Sequence, residues 1–479
     1  TQLLHFDGRD WRGYSYAWNE AQTDAELVGA EGMDRTLVVR DPEAPDGRRR
    51  QAWRFASRAQ CVICHNTMAG SVLGFTPVQL NVNYAADGES GDQLRTLAEA
   101  KILSGPLPDN LSKLVEPRES SAEIGRRARS YLHANCSHCH RRHGGGTAAI
   151  ELPYELSLDD THAIDVRPTQ GTFDIHGAKV ISPGDPYRSV LFYRMAKLGR
   201  GRMPHLGSSL VDEAGLKLVH DWIAQLPAAA DSAAEAPRGE ARRDVAAALA
   251  ALQASKTAPD QAEAALAQLL VSPRGALALA QAIGEKSLPE AVRQLAVAKG
   301  VQHRDAQISG LFERFVPEDQ RPQRLGDAIR AEQIASLAGD AAAGRRLFFE
   351  VAAVQCKNCH RIEGQGLEIG PDLSQIGKKY NRAQLLETIL EPSKQVDPKY
   401  VAYLVETAGG QVHTGLLVER TERELVLRDG QNKLIRIPTA EAELVAPQQK
   451  SLMPELLLRE MTAQEAADLL EFLGTLKGS

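Results

Sequence analysis

Aromatic residues make up only 5% of the 479-residue chain, cysteines number six, basic residues are in no excess, and no long apolar run is present. Each shortage excludes something. With 56 basic against 62 acidic residues and a formal net charge of −6, the chain lacks the basic footprint of a nucleic-acid-binding protein. No apolar run approaches the roughly 18 residues that a membrane-spanning helix needs, so no transmembrane segment is expected. No secretory leader stands at Thr1, so the sequence is expected to be a mature product or to begin inside a longer protein. The 43% hydrophobic and 25% charged content is an ordinary globular balance, which excludes wholesale disorder. At roughly 100–200 residues per domain, the length predicts three or four domains.

The six cysteines form three copies of one motif. These are Cys61-Val62-Ile63-Cys64-His65, Cys136-Ser137-His138-Cys139-His140 and Cys356-Lys357-Asn358-Cys359-His360. Cys-x-x-Cys-His is the attachment sequence of a c-type haem. Two thiols must reach the two vinyl groups of one porphyrin, and the two-residue spacer sets them that far apart. The histidine that follows supplies the proximal nitrogen to the iron. A structural zinc site combines two ligand pairs and needs no abutting histidine. A tight Cys-x-x-Cys disulfide does not need one either. Three copies that use every cysteine therefore predict three covalently attached haem c groups, with Cys61, Cys64, Cys136, Cys139, Cys356 and Cys359 as attachment residues. His65, His140 and His360 are the expected iron ligands. Haem c attachment in bacteria takes place outside the cytoplasmic membrane, so the chain is expected to be periplasmic or otherwise exported.

Residues 1–115 read as a mixed region, with short strand-like runs at Gly13–Trp18, Thr36–Val39 and Gln51–Phe55 ahead of the first motif. A polar stretch, Asn83–Asp92, leads into a helical pattern at Gln93–Leu103, and Pro106, Pro108 and Pro117 mark a boundary. Residues 116–228 read as a small cytochrome domain. Ser120 and Glu123 form a capping-box pattern ahead of a helix that ends at the second motif, and a later helix buries Leu216, Val219, Ile223 and Leu226. Residues 229–338 are alanine-rich and hold one histidine, His303. Prolines near 259, 273 and 289 break them into helical hairpins, stacked in the manner of HEAT-type repeats, which act as a rigid spacer or, alternatively, as a partner-docking surface. Residues 339–479 repeat the cytochrome plan. Asp340 caps a helix carrying Leu347, Phe348 and Val351, and a Thr462/Glu465 capping box opens the last helix, with Ala466, Leu469, Leu470 and Leu473 buried. Between them lies a strand insert at Tyr400–Glu406, Thr414–Glu419, Glu424–Asp429 and Lys433–Pro438, with Gly409-Gly410 and Asp429-Gly430 as turn signals. The expected class is mainly α with β insertions: two class I cytochrome c-like domains, an N-terminal strand-containing haem region and a helical spacer.

The second axial ligand decides what each haem does, since a thioether raises the potential and a closed coordination sphere favours electron transfer. Met203, in Arg202-Met203-Pro204 just before a terminal helix, is the choice for the second haem, with Met195 as its rival. Met453, in Ser451-Leu452-Met453-Pro454, is the choice for the third, with Met461 as its rival. Proline after the methionine stiffens an extended ligand loop. No Met-Pro follows His65, and Met68 is too close in sequence to reach the other face. Met33, His5, His133 or an open position remain for the first haem. His138, between two cysteines, is expected to face solvent. Arg141, Arg142 and His143 either pair with haem propionates or form surface charge, and His205 and His220 are expected to be structural or exposed.

The two later domains resemble class I cytochrome c in their order of helix, Cys-x-x-Cys-His, methionine and terminal helix. The C-terminal one is similar to the haem-binding domain common in planctomycetes and verrucomicrobia, through Gly339-Asp340, Gly344, Phe348, Cys356 to His360, Gly364, Gly366, Gly370-Pro371-Asp372-Leu373, Glu391-Pro392-Ser393 and Ser451 to Pro454. That resemblance implies that the Pro371 carbonyl orients His360. The first 228 residues resemble an uncharacterised bacterial family with two such motifs. The matching pieces are Gly13-Tyr14-Ser15-Tyr16-Ala17-Trp18-Asn19, Gln22-Thr23-Asp24-Ala25, Ser57 to Cys61, Gly74-Phe75, Gln79-Leu80-Asn81 and Tyr131 to Cys136. Members are linked to quinoprotein (PQQ-dependent) sugar dehydrogenases of the glucose/sorbosone type, and their Gly-Tyr-x-Tyr segment is preceded by more sequence, which implies that Thr1 lies inside a domain. The sequence thus predicts a periplasmic tri-haem electron carrier between a dehydrogenase, of quinoprotein type by this resemblance, and another cytochrome or a terminal oxidase. The alternatives are a haem subunit of a larger respiratory or photosynthetic assembly, or a peroxidase-like enzyme with an open first haem.

Overall fold

The computed structural model describes the chain outside residues 42–46, 66–69, 87–88, 104, 106, 108–110, 143–147, 149, 170, 228–235, 255–258, 327–328, 350–355, 409–411, 430–431, 449–450, 454–456 and 479. Pro106, Pro108, Met68, His143, Val351, Gly409, Gly410, Gly430 and Pro454 therefore lie outside the described residues. The described residues fall into two compact units, Thr1–Asp319 and Gln320–Ser479.

The first unit opens with β1 (Gln2–Phe6), β2 (Trp11–Trp18) and β3 (Ala25–Leu27), an antiparallel sheet in that order, followed by the hairpin β4 (Met33–Arg40) and β5 (Arg48–Phe55). Along β2 the buried positions are Gly13, Ser15 and Ala17, the two-residue period of a strand with one covered face. That face receives α1 (Arg58–Cys64), which starts with a reciprocal capping box between Ser57 and Gln60. After α2 (Pro77–Leu80), the polar stretch 83–92 forms a hairpin, β6 (Asn83–Ala86) with β7 (Glu89–Asp92), which leads into α3 (Gln93–Glu99). Hydrophobic patterning does not reveal this hairpin, because backbone pairing holds it.

α4 (Ile124–Cys136) carries the second motif at its end, and α5 (Val190–Met195) and α6 (Glu213–Gln225) follow. The expected Ser120/Glu123 capping box does not form. Glu123 is itself the N-cap, and its carboxylate accepts from the N–H groups of Gly125 and Arg126. A longer acidic side chain that reaches two orphan donors starts the helix later than the serine would. α4 and α6 approach closely because Gly215 lies against the Tyr131 ring, where any β-carbon would collide.

The alanine-rich segment forms α7 (Ala236–Ala254), α8 (Pro259–Leu269), α9 (Pro273–Gly284), α10 (Glu290–Val301) and α11 (Ala306–Phe312). Its prolines start helices: Pro259 and Pro273 are first residues and Pro289 is an N-cap. Every residue from Pro273 to Ile283 is buried, as expected of a helix that is apolar nearly all round. This segment is docked onto the region of the second motif. Arg274 pairs with Asp185 at 3.0 Å and Arg314 with Glu213 at 3.3 Å. The buried Tyr193 hydroxyl donates to the Gln307 carbonyl at 2.7 Å. The stretch from 320 to 338 belongs instead to the second unit, where Ile334 of α12 (Glu332–Ala335) sits in the main core.

In the second unit, α13 (Ala341–Phe349) is capped by Asp340, whose carboxylate accepts from Ala342 and Ala343. The ribbon β8 (Arg361–Ile362) and β9 (Gln365–Gly366), then α14 (Ile376–Lys379) and α15 (Arg382–Leu390), follow the third motif. The insert is a five-stranded antiparallel sheet: β10 (Ala402–Thr407), β11 (Val412–Arg420), β12 (Glu424–Arg428), β13 (Leu434–Pro438) and β14 (Ala442–Pro447), in the order β13-β12-β11-β10-β14. Four strands are expected from the sequence. The fifth, Ala-Glu-Leu-Val-Ala-Pro, has little β-propensity and is recruited to the free edge of β10. Val405, Leu425, Leu427 and Ile437 form the sheet's own core. α16 (Ala463–Thr475) starts with the expected Thr462/Glu465 capping box and crosses α13, with Gly344 lying against the Asp468 carbonyl and the Phe472 β-carbon.

That crossing is where the second unit is least tolerant of added volume. Gly344→Val is expected to cost about 1–3 kcal/mol through overpacking, read as a lower melting temperature by circular dichroism. Gly474→Ala, whose β-carbon meets nothing within 4 Å, serves as the neutral control.

Candidate haem-attachment sites

All three motifs take the same backbone turn. The histidine N–H donates to the carbonyl of the first cysteine at 2.9 Å in His65–Cys61, 2.9 Å in His140–Cys136 and 2.8 Å in His360–Cys356. One helical turn places residues i, i+3 and i+4 on one face, so each pair of thiols and its imidazole share a side. The turn is built three ways: within α1 and its C-cap, at the end of α4, and on a short 3-10 turn at Cys356–Asn358. All six cysteines are half-buried.

At the first site, Gly13 of β2 faces Cys61, and a β-carbon there would stand 2.5 Å from the Cys61 β-carbon and 2.7 Å from its sulfur. The Arg58 guanidinium lies over the Tyr14 ring, and the Ser15 hydroxyl donates to the Ala56 carbonyl at 2.9 Å. His65 Nδ1–H donates to the Ser71 carbonyl at 2.7 Å. A carbonyl can only accept, so the proton sits on Nδ1 and Nε2 keeps its lone pair for a metal. Of the proposed second ligands, His5 is exposed on β1 and Met33 starts β4 opposite Phe55. His133 is buried, and its Nδ1 accepts from the Tyr154 N–H at 3.0 Å. Burial holds the ring neutral, so its one proton is on Nε2. That tautomer has no free nitrogen for iron, which removes His133 as a ligand while this hydrogen bond stands.

At the second site, His140 is held neutral, pushed down to about 4 by burial, with Arg194, His205 and His138 adding positive charge nearby. Its Nδ1 is buried and has no hydrogen-bond partner among the described residues. Met203 lies in the same neighbourhood, its N–H donating to the Arg194 carbonyl at 2.9 Å. Arg202 pins this loop through the carbonyls of Pro204 at 2.5 Å, Ser208 at 2.7 Å and Leu210 at 2.6 Å. Met195 ends α5. His205 is exposed, as expected, yet its Nδ1 is 3.5 Å from the Met203 sulfur. The loop therefore offers an imidazole beside the thioether, which spacing alone does not reveal. His220 is tied between Asp221 at 2.9 Å and the Tyr187 hydroxyl at 3.2 Å. Arg142 N–H donates to Glu151 at 3.2 Å. The expectation that His138 faces solvent is not met. It is half-buried and groups with Cys64 and Cys139, because the chain folds the first motif against the second.

At the third site, His360 Nδ1–H donates to the Pro371 carbonyl at 2.9 Å, the contact that the resemblance implies. Gly370 lies flat on the imidazole, where a β-carbon would be 2.6 Å from its Cε1 atom. The Gly370 and Ile369 N–H groups both donate to the Cys359 carbonyl, at 2.7 and 3.0 Å. Burial lowers the proton affinity of His360. Cys356 and Met453 pack against the same hydrophobic core, in which Met461 is 1% exposed.

A turn that presents two thiols and an imidazole is chemically suited to a covalently bound haem: the thiols would take the vinyl groups and a ring nitrogen the iron. Residues 341–425 match the family model for cytochrome c. The matched stretch holds α13, the third motif, the Pro371 segment and α15, and ends within the inserted sheet. A comparison with curated proteins finds no match. The chain thus carries a cytochrome c domain in its C-terminal region, with the haem c and iron that such a domain implies, and is an electron-transfer haem protein.

Three substitutions test the sites. Gly13→Val drives a side chain into Cys61, and the expected result is loss of haem from the first motif alone, read by peptide-resolved mass spectrometry. Met203→Ala removes the thioether, and the ferric protein is expected to lose part of its long-wavelength sulfur-to-iron charge-transfer band, whereas His205→Ala keeps it.

Proposed function

We propose that the chain is a tri-haem c-type cytochrome, exported from the cytoplasm, that passes single electrons from a dehydrogenase to another cytochrome or a terminal oxidase. What carries this reading is the shared turn: in three different structural settings the motif histidine N–H donates to the carbonyl of the first cysteine, which closes the same backbone turn each time. Haem supplies one-electron chemistry at its iron when bound. The chain's own residues do the rest. Cys61 and Cys64, Cys136 and Cys139, and Cys356 and Cys359 tether the group. His65 and His360 are oriented by carbonyls, and Met203 and Met453 close the second face at the later sites. Closed faces favour electron transfer over substrate binding. The resemblance of the first 228 residues supports a quinoprotein dehydrogenase as donor. Among the described residues no helix is long and apolar enough to cross a membrane.

A second reading, a small-oxidant reductase with an open first haem, is favoured by one observation: the Tyr154 hydrogen bond that withholds His133. Carbon monoxide separates the two. The expected haem content is three per chain, falling by one in Cys356→Ala/Cys359→Ala. A carrier with all faces closed binds no carbon monoxide when reduced. One carbon monoxide per chain would point to the open first haem, and a content below three would overturn the tri-haem reading.

A further inference from the structure

The first two motifs, 75 residues apart in sequence, meet in space. Cys64 Sγ lies 3.8 Å from Cys139 Sγ. His138 joins them, with a ring nitrogen and both sulfurs all within 4.8 Å of one another. The two sulfurs occupy the same place in their motifs: each belongs to the second cysteine, the one next to the iron-binding histidine.

Neither sulfur is placed there by a loose loop. Cys64 ends α1, which is fixed at its start by the Ser57/Gln60 capping box and along its length by the Gly13–Cys61 contact. Cys139 sits on the turn that closes α4, with its N–H donating to the Cys136 carbonyl at 3.2 Å. The Leu152 N–H donates to the His140 carbonyl at 2.7 Å and fixes the far side of that turn. A sulfur separation of 3.8 Å is a contact and not a bond, since a disulfide needs about 2.05 Å. Both thiols are therefore available to a vinyl group. In that addition the sulfur bonds to one vinyl carbon and the thiol hydrogen goes to the other, so no electrons leave the pair and no oxidant is needed. Each sulfur then stands two bonds from the conjugated ring it tethers.

We propose that Cys64 and Cys139 bring corresponding edges of the first and second haems together as an electronically coupled pair, with His138 filling the junction. The proposal rests on the haem-binding reading of these two motifs. Contact between equivalent tethers gives an electron a path from one ring to the other that crosses no solvent. It also makes the two sites titrate as one coupled system, since charge added at one is felt at the other.

The test uses the full chain as isolated, with haem counted by the pyridine haemochrome method and the Soret region recorded by circular dichroism. The expected result is three haems with a bisignate Soret couplet, which persists in Cys356→Ala/Cys359→Ala and vanishes in Cys61→Ala/Cys64→Ala. Should the latter variant fail to accumulate, the wild-type chain and the third-motif variant decide the matter by themselves. Three haems without a couplet, or a couplet lost with the third motif, would overturn the pair and leave the tri-haem reading standing. Fewer than three haems in the wild-type chain would overturn the tri-haem reading, and the pair as well where peptide-resolved mass spectrometry finds the first or second motif empty.

Discussion

The hydrogen bond from each motif histidine to the carbonyl of its first cysteine is the constraint on which the sites depend. It closes one helical turn, and that turn alone brings two thiols and an imidazole to one side of the backbone. Because the bond is local, it forms with a strand packed on it, at the end of a long helix, or on a short 3-10 turn. The surroundings then orient the ring. A carbonyl on Nδ1, from Ser71 or Pro371, selects the tautomer that leaves Nε2 free. His133 shows the reverse: a backbone N–H on Nδ1 selects the tautomer that cannot bind metal.

Glycine does in this chain what large side chains do in many cores. Gly13 admits Cys61, Gly215 admits the Tyr131 ring, Gly344 admits the backbone of α16 and Gly370 admits the face of His360. Each close approach sits beside a motif or on a helix that carries or supports one. Backbones that can touch position a thiol or an imidazole more tightly than two long side chains, which leave rotamer freedom behind.

The Ala-rich segment is more than a rod between domains. Its α9 is buried throughout, and Arg274, Gln307 and Arg314 tie it by charge and hydrogen bonding to Asp185, Tyr193 and Glu213. Those partners lie on the elements that flank the Met203 loop, so the helices brace the second site at a distance from it. The Arg274–Asp185 pair, buried on both sides, resists loss of one partner, because the other is left without compensation.

Much of the site was legible in the residues. Cys-x-x-Cys-His dictates its own turn, and Thr462 with Glu465 or Asp340 marks a helix start, because each is a short-range arrangement settled by neighbours in sequence. The start of α4 is not legible in this way, because two capping groups compete within four residues, and neither is the edge strand Ala442–Pro447, which owes its form to β10 and not to its own composition. The residues alone name three Cys-x-x-Cys-His turns, each closed on its own histidine. Only the tertiary structure decides that Cys64 stands against Cys139 with His138 beside them, that His205 flanks Met203, and that His133 is spoken for by Tyr154. Those are contacts between distant segments, and no periodicity or spacing within one segment carries information about which other segment will cover it.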